Sequence, residues 1–366
     1  MDKMKKYVRE LTELQGNSGY EDEVIKYLYE KLKNKADHIK ADSIGNLTVK
    51  FDSSRENSKK VMLFGHMDEV GLVVRKIENS GFLRVEKLGS VNLNTLPGSV
   101  VEIAGSKGTV TGVVGVKSHH YLKPDEKGII GSYEKLYVDI GAVSKENVYK
   151  LGIEPGNPVT VKSNFNELAN NLVSNKAMDD RAPLAALLCL AEEIQKEKLD
   201  YELYIVFSVQ EEFNIRGIMP AVKEINPDIA IGVDVTPSCD TPDLAGYSDV
   251  VIGKGPGITY MNHHGRGTLA GYLPNRKFSA YLEKICRENN IPFQREVALG
   301  VLTETAYILF ENAKTVTGSI SIPTRYTHAP VEVISMEDLE NMYKLLYTFL
   351  KNYSPEMEFG KDQLCK

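Results

Sequence analysis

The chain has 366 residues, of which 42% are hydrophobic and 26% charged, with a formal net charge of −6. This length favours two domains, because single hydrophobic cores seldom grow beyond about 250–300 residues. The mildly acidic balance gives no reason to expect nucleic acid, which would favour a basic surface.

The N-terminal pattern, the apolar stretches and the cysteine spacing together predict a cytoplasmic chain without a membrane partner. The opening residues, MDKMKKYVRELTEL, show a charged helical pattern without the apolar core of a secretory signal. The longest apolar stretch, 182–191, is far shorter than the roughly 20 residues of a membrane span. Scattered cysteines without a C-x-x-C pair indicate reduced, unligated thiols; they are Cys189, Cys239, Cys286 and Cys365.

Residues 4–34 read as two amphipathic helices separated by GNSGYEDE, where Ser18 is a candidate cap for the second helix. Two strand patterns follow, at 46–51 and 60–64, and the second runs into HMDEVG. From about 72 to 165 the chain breaks into short alternating segments separated by Gly, Pro and Asn, which is typical of a small all-β barrel or sandwich.

From residue 166 onward, helix and strand patterns alternate, which indicates an α/β layer with a mostly parallel sheet flanked by helices. The sequence therefore predicts an α/β catalytic domain built from 1–71 and 166–366, with a β-barrel domain, 72–165, inserted into it. The predicted later elements are a helix after Asp180, strands at 201–209, 228–233 and 318–322, and helices at 274–289 and 336–352.

Five short segments that carry acidic residues or histidine each follow a hydrophobic run. Imidazole together with carboxylate is the ligand mixture of zinc, cobalt and manganese hydrolases, and several carboxylates could bridge two metals and leave an acid free. We therefore read a two-metal hydrolase. The candidates are His66, Asp68, Asp179, Asp180, Glu211, Glu212, Asp234 and His328.

These segments are expected to converge, because ligands of an open α/β sheet bind beyond the carboxyl ends of its strands. Each one alone has a plainer explanation: a histidine after a strand is usually a loop residue, and Asp-Asp before a helix is usually a cap. Asp234 is harder to explain in this way, because a carboxylate between valines is costly to bury without a partner.

The motifs and their order resemble the tetrahedral or glutamyl aminopeptidases, di-metal enzymes whose members are sometimes labelled endoglucanases. The resemblance covers nearly the whole chain and implies a zinc-peptidase-like fold with a barrel used for assembly. The motifs are TLPGSVVEI at 95–103, KAMDDR at 176–181, VQEE with RG at 209–217, VDVTPSCDTPD at 233–243, GKGP at 253–256 and IPTRYTHAPVEV at 322–333.

The resemblance implies two divalent metal ions per subunit, zinc or cobalt, both bound by Asp179. One ion would add Glu212 and His328, and the other would add His66 and Asp234. The residues leave zinc against cobalt open, because mixed imidazole and carboxylate sites bind either metal.

It also implies a cis peptide between Asp179 and Asp180, a role for Asp68 in orienting the imidazole of His66 or its metal, and Glu211 as general base. Spacing does not say which of Glu211 and Glu212 ligates and which catalyses. The resemblance makes that assignment.

The implied substrates are small peptides with a free amino terminus, and the implied partner is a further copy of the chain. Relatives form tetrahedral dodecamers, with a homodimer as the simpler assembly. The preferred N-terminal residue stays open at this point.

Two departures from the family pattern concern specificity. Asn214 stands where relatives usually carry Gly, and Leu302-Thr303-Glu304-Thr305 stands where they carry Gly-Thr-Asp-Ala. The second run lies near the substrate pocket in relatives, so Glu304 is expected to influence how the substrate is held.

Two other functions compete with this one. A glycoside hydrolase needs two carboxyl groups and usually an aromatic platform, but the chain has no Trp and its histidines would be surplus. A catalytically inactive binding scaffold is the other alternative. Two histidine pairs, at 119–120 and 263–264, read more simply as polar loops than as further sites.

Overall fold

The structure is a computed structural model that describes residues 2–123, 132–265 and 269–361. Cys365 and the end of the loop that begins at the 119–120 histidine pair lie outside the described residues. The helices are α1 (Asp2–Glu13), α2 (Asp22–Leu32), α3 (Lys145–Lys150), α4 (Met178–Ile194), α5 (Ile218–Ile225), α6 (Arg276–Glu288), α7 (Ile308–Glu311) and α8 (Met336–Asn352).

The strands of the α/β part flank the barrel strands in sequence. They are β1 (His38–Ala41), β2 (Leu47–Phe51), β3 (Lys60–His66), β10 (Asn166–Glu167), β11 (Leu172–Asn175), β12 (Glu202–Ser208), β13 (Ile229–Pro237), β14 (Gly257–His263), β15 (Gly271–Tyr272), β16 (Gln294–Leu299), β17 (Val316–Arg325) and β18 (Glu332–Ser335). Between β3 and β10 come β4 (Gly71–Ile77), β5 (Leu83–Leu88), β6 (Val100–Gly105), β7 (Gly108–Val114), β8 (Tyr137–Asp139) and β9 (Pro158–Val161).

The centre of the large sheet is parallel, in the order β12-β3-β13-β17. Antiparallel strands extend both sides, with β2 and β1 beyond β12 and with β18, β11 and β10 beyond β17. The central strands β3, β12 and β13 read as near-continuous hydrophobic runs because they are buried on both faces. β17 is equally buried but carries small polar residues between its apolar ones. The carboxyl ends of all four strands meet at one rim of the sheet.

Side chains of β3 alternate between two helix layers. Val61 and Leu63 belong to the main core, to which α1, α2, α4, α6 and α8 contribute, whereas Met62 and Phe64 pack in a smaller core with α5. This period-2 alternation places helices on both faces of the sheet.

The inserted strands close into an antiparallel barrel in the order β4-β5-β8-β7-β6-β9. Alternate apolar residues fill it, among them Leu72 and Val74 on β4 and Val101 and Ile103 on β6. Closure leaves the barrel without free strand edges.

The predicted fold class, an α/β sheet flanked by helices with a small β-barrel, is confirmed. The barrel strands span Gly71–Val161. We keep 72–165, with 1–71 and 166–366 around it, as the proposed domain limits. Within the described part of the chain, no helix combines the length and the apolar character that crossing a bilayer requires.

The suggested helix cap was wrong. Glu21, not Ser18, occupies the cap position of α2, and it makes no capping hydrogen bond through its side chain. Ser18 instead donates a hydrogen bond of 2.5 Å to Oδ2 of Asp68. The hydroxyl is therefore committed to a buried carboxylate at the sheet rim.

Candidate metal centre and active site

The rim of the sheet collects the predicted site residues from neighbouring strands. His66 ends β3, opposite Ser208 at the end of β12, and Glu211 and Glu212 follow directly in the next turn. His328 lies three residues beyond β17. These four residues, His66, Glu211, Glu212 and His328, therefore lie at the carboxyl ends of the strands, as predicted for the ligand-binding side of an open α/β sheet.

Asp234 lies inside β13 rather than after it. The parallel ladder between β13 and β17 continues from Ile229 to Pro237, so Asp234 pairs with Ser321 in the strand interior. The sequence predicted a strand that stops at Asp234. That predicted strand end was wrong. Polar residues near the rim still pair through their backbone, so the strand continues past Asp234 to Pro237.

Asp179 belongs to a helix and not to a strand: it lies in the first turn of α4. Asp179 and Asp180 have non-helical backbone angles there, and the peptide bond between them is cis. The carboxylate of Asp180 turns back to the sheet and accepts the backbone N–H of His66 at 3.0 Å.

Two groups of potential ligands share Asp179. In one, ligand atoms of His66, Asp179 and Asp234 all lie within 4.8 Å of one another, and in the other the same holds for Asp179, Glu212 and His328. His66 Nε2 is 3.2 Å from Oδ1 of Asp179, and His328 Nε2 is 3.3 Å from its Oδ2. Opposite oxygens of one carboxylate therefore face two different imidazoles.

A third group overlaps with these. His66, Glu211 and Glu212 also bring ligand atoms within 4.8 Å of one another. The distances therefore do not decide which of Glu211 and Glu212 binds metal and which acts as base, and their adjacent positions in the sequence do not decide it either.

The donor set fits divalent cations. Oδ1 of Asp179 is buried and has no hydrogen-bond partner among the described residues, although the His66 ring lies close by. Burial raises the pKa of the Asp234 carboxyl well above its usual range, and the nearby Asp179 carboxylate adds to that rise. Crowded, under-bonded carboxylates of this kind are what a bound cation would relieve.

The histidines show the complementary effect. Burial lowers the pKa of His66, but the adjacent carboxylates of Asp179 and Asp68 outweigh it and raise the pKa well above its ordinary value. Burial also lowers the pKa of His328, but the carboxylates of Glu212 and Asp179 outweigh it and raise the pKa well above its ordinary value. Protonation of both imidazoles is therefore favoured, and a proton on either ring competes with a cation for the same nitrogen.

Glu211 is another carboxyl whose ionisation is disfavoured. Burial raises its pKa well above the usual range, the nearby His66 opposes that rise, and Glu212 adds to it. A carboxyl with a raised pKa, next to potential ligands, is suited to taking and returning protons.

Asp68 lies next to the potential ligands and accepts backbone hydrogen bonds from Glu211 and Glu212. Its Oδ1 accepts the N–H of Glu211 at 2.9 Å, and its Oδ2 accepts the N–H of Glu212 at 3.0 Å. Its Oδ1 is also 3.4 Å from Nδ1 of His66. One buried carboxylate thus fixes the turn that carries both glutamates and faces the ring of His66.

Glu332 is a residue that the sequence analysis passed over. Its two oxygens accept the backbone N–H of Asp179 at 3.1 Å and of His328 at 2.7 Å. The available signal was a carboxylate between two valines, the same signal that drew attention to Asp234. It lay within IPTRYTHAPVEV, where His328 was the one predicted ligand.

The chain is similar to one family of known proteins over most of its length. The family model described as M42 glutamyl aminopeptidase matches residues 45–345.

The chain belongs to the M42 glutamyl aminopeptidase family.

Two of its relatives match it over most of their length. SgcX, a putative aminopeptidase of Escherichia coli K12, is 48% identical over 90% of this chain and 88% of its own. The structure of aminopeptidase APDkam598 from the archaeon Desulfurococcus kamchatkensis superposes with a TM-score of 0.91 at 34% identity, covering 97% of this chain and 96% of that one.

A third relative brings information on assembly. The TET1 peptidase of Pyrococcus horikoshii, described as able to form a tetrahedron or a large octahedral shell, superposes with a TM-score of 0.84 at 29% identity, over 95% of this chain and 99% of that one. The family resemblance inferred from the motifs is confirmed. As an M42 family member, the chain is an aminopeptidase, a hydrolase of peptide bonds.

The two departures from the M42 pattern have different structural settings. Asn214 has a φ of +67°, a left-handed conformation that Gly adopts freely and Asn adopts more readily than most residues. The substitution therefore preserves the turn. It also places an amide among the residues that line the active-site cavity.

Glu304 does not line that cavity, whereas its neighbours Leu302 and Thr303 do. It is buried, and both of its oxygens accept the hydroxyl of Ser208, at 2.8 and 2.9 Å. Burial raises its pKa to about 7, opposed by the charge of His66. Glu304 lies below the rim of the sheet and does not line the cavity. We therefore expect Glu304 to influence substrate binding only indirectly.

The histidine pairs outside the cluster differ from each other. The pair at 119–120 forms an exposed turn in the barrel part of the chain. No ligand group found among the described residues includes it. His264 is exposed and lines the active-site cavity.

Proposed function

We propose that the chain is a two-metal aminopeptidase that removes N-terminal residues from small peptides. The observation that carries this proposal is Asp179, whose carboxylate belongs to two separate groups of ligand atoms. A single shared carboxylate between two triplets is the geometry expected of a bridged pair of cations.

In this proposal Asp179, Glu212 and His328 hold one divalent cation, and Asp179, His66 and Asp234 hold the other. Zinc or cobalt suits the mixed donors. When bound, the two cations lower the pKa of a water molecule and polarise the carbonyl of the scissile bond.

Glu211 is the proposed general base. It takes a proton from the attacking water and passes it to the leaving amine, a role that suits a buried carboxyl with a raised pKa. Asp68 fixes the position of Glu211 by accepting its backbone N–H. It also orients His66 from outside the ligand set.

The test is a panel of aminoacyl chromogenic substrates, together with N-acetylated analogues and carboxymethylcellulose, each assayed with and without chelator. Chelator-sensitive release from the free-amine substrates only is the expected result. Hydrolysis of the polysaccharide would support the glycoside hydrolase alternative. Metal binding without any turnover would support the inactive scaffold.

We also propose a homo-oligomer, with a tetrahedral dodecamer as the assembly and a homodimer as the simpler alternative. Support comes from the TET1 peptidase, which assembles into closed shells and covers 95% of this chain. The β-barrel is the proposed assembly domain. Sedimentation velocity distinguishes a particle of twelve chains from one of two.

A cytoplasmic location completes the proposal. Cys189, Cys239 and Cys286 form no disulfide in the structure. Free thiols are usual in reducing compartments. Fractionation of cells that express the tagged chain is the test.

A further inference from the structure

The active-site cavity has one wall that the proposed reaction does not use. The cavity encloses about 520 Å³, and the proposed ligands and base form one side of it. The rest of its lining is mostly apolar and comes from separate segments around the rim. The apolar members are Ile215, Val235, Pro237, Ala270, Val301, Leu302 and Tyr307.

This apolar wall carries almost no ionisable group. Outside the ligand cluster, His264 is the one acidic or basic side chain among the described lining residues, and it is exposed. No lysine, arginine or further carboxylate from residues 2–123, 132–265 or 269–361 lines the cavity.

The wall lies next to the proposed base. The N–H of Ile215 donates to the carbonyl of Glu211 at 2.8 Å, and the N–H of Arg216 donates to that of Gln210 at 3.1 Å. Ile215 has a φ of +50°, which a β-branched residue rarely adopts, so the tight turn imposes this conformation. The turn that supplies Glu211 thus also supplies part of the apolar wall.

Another part of the wall is hydrogen-bonded to the end of β14. Val301 and Leu302 follow Gly300, whose N–H donates to the carbonyl of His263 at 2.8 Å. Both side chains are half-buried, so a substrate group could cover the apolar surface that they still expose.

An aminopeptidase must place the first side chain of its substrate close to the scissile bond. A lysine or glutamate side chain packed against Ile215, Val301 or Leu302 would give up hydration without meeting an opposite charge from these residues, which is unfavourable. An aliphatic or aromatic side chain would instead remove apolar surface from water.

We propose that the enzyme prefers peptides whose N-terminal side chain is uncharged and apolar, such as leucine, methionine or phenylalanine. This inference rests on the proposed aminopeptidase function and names its substrate class. It differs from the acidic preference that the description of the M42 family suggests.

The first test uses the metal-loaded enzyme and the p-nitroanilides of leucine, methionine, phenylalanine, lysine and glutamate. We expect kcat/KM for the best apolar substrate to exceed the values for lysine and glutamate by about tenfold or more. Comparable or faster cleavage of the lysine or glutamate substrate overturns the inference and leaves the aminopeptidase function standing. No cleavage of any substrate removes the proposed function and this inference with it.

A matched pair of variants tests whether the apolar wall holds the side chain. Leu302→Asp and Leu302→Asn both remove the leucine and are close in shape, but only the first adds a negative charge. We expect the ratio of lysine to leucine turnover to rise about tenfold more in Leu302→Asp than in Leu302→Asn.

The ratio is insensitive to the fraction of enzyme that folds, since both substrates meet the same active molecules. Val301→Asp and Val301→Asn provide a second pair should the first be recovered unfolded. Equal ratios within both pairs would show that the first side chain lies elsewhere, which overturns the proposal.

Discussion

The carboxylate of Glu332 accepts the backbone N–H of His328 at 2.7 Å. Its other oxygen accepts the backbone N–H of Asp179 at 3.1 Å. A single side chain on β18 therefore fixes the main chain of two proposed ligands that are 149 residues apart in sequence (328 − 179). His328 has a φ of +63°, so its loop depends on such a contact to hold an uncommon conformation.

Glu332→Gln is therefore expected to weaken metal binding without unfolding the protein. The amide offers one acceptor oxygen, and its NH₂ group would face the remaining backbone N–H. Changes of this kind around metal ligands typically cost 10–100-fold in affinity or activity. Competitive titration with a chelating dye measures the affinity.

The matched control is Glu337→Gln, because Glu337 is exposed at the start of α8. It should leave metal affinity unchanged. If Glu332→Gln bound metal as tightly as the control, the positioning role of Glu332 would be excluded.

Glu211 and Glu212 are adjacent, and Asp68 holds the backbone of both. Their side chains are nevertheless assigned different roles. Glu211→Gln should keep its metal and lose turnover by about 10²-fold or more, as expected for a general base. Glu212→Gln should lose metal as well as turnover.

Metal content by mass spectrometry, paired with kcat for each variant, decides between the two residues. A reversed pattern, with metal lost from Glu211→Gln and retained by Glu212→Gln, would exchange the roles. This comparison resolves what both spacing and the overlapping ligand groups leave open.

His328 provides the simplest test of the ligand set. Its Nε2 lies 3.0 Å from Oε1 of Glu212 and 3.3 Å from Oδ2 of Asp179. His328→Ala should lower bound metal by about one equivalent per chain and abolish most activity, because a site that loses one of three protein ligands binds weakly. His119→Ala, in the exposed turn of the barrel, is the control and should retain both metals.

Much of the site could be predicted from the sequence because its residues obey the topology of the sheet. Hydrophobic runs identify β3, β12 and β13 as buried strands. In β17 apolar residues are interspersed with small polar residues, a weaker strand signal. Once these four strands are parallel, the polar residues at their carboxyl ends must share one rim. His66, Glu211 and His328 follow from that rule without any knowledge of the family.

The rest could not be predicted because it depends on contacts with the backbone. Glu332 and Ser18 act through hydrogen bonds to distant segments, and sequence patterns do not encode which N–H or carboxylate will be nearby. Asp234 was placed beyond its strand for the related reason that a ladder can continue past a polar residue. The division of Glu211 and Glu212 into base and ligand depends on side-chain direction, which adjacent positions do not specify.

Metal binding should strengthen as pH rises. In the metal-free protein, neighbouring carboxylates outweigh burial and raise the pKa of both His66 and His328, so these rings stay protonated to higher pH than ordinary histidines. A cation must displace those protons, and its apparent affinity therefore falls as pH falls. Calorimetric titrations in two buffers with different ionisation enthalpies measure the protons released. Binding that is independent of buffer and pH would contradict the predicted protonation.

A buried charge cluster near the site should dominate the stability of its surroundings. Nζ of Lys176 donates to both oxygens of Glu69, at 2.7 and 2.8 Å, and Arg181 lies 3.6 Å from the same carboxylate. All three side chains are buried. Removing the charge of Glu69 takes away the carboxylate that lies against both cations, and their other hydrogen-bond acceptors are neutral backbone carbonyls.

Glu69→Gln should therefore lower the free energy of unfolding by about 3–5 kcal/mol, the usual cost of breaking a buried ion pair from one side. Glu30→Gln is the matched control, because the pair between Glu30 and Lys33 is solvent-exposed and such pairs contribute about 0–1 kcal/mol. Urea unfolding midpoints, measured at equal protein and metal concentrations, compare the two variants. Equal midpoints would mean that the neutral carbonyls around Lys176 and Arg181 suffice to hold both cations, so that Glu69 contributes little more than a surface carboxylate does.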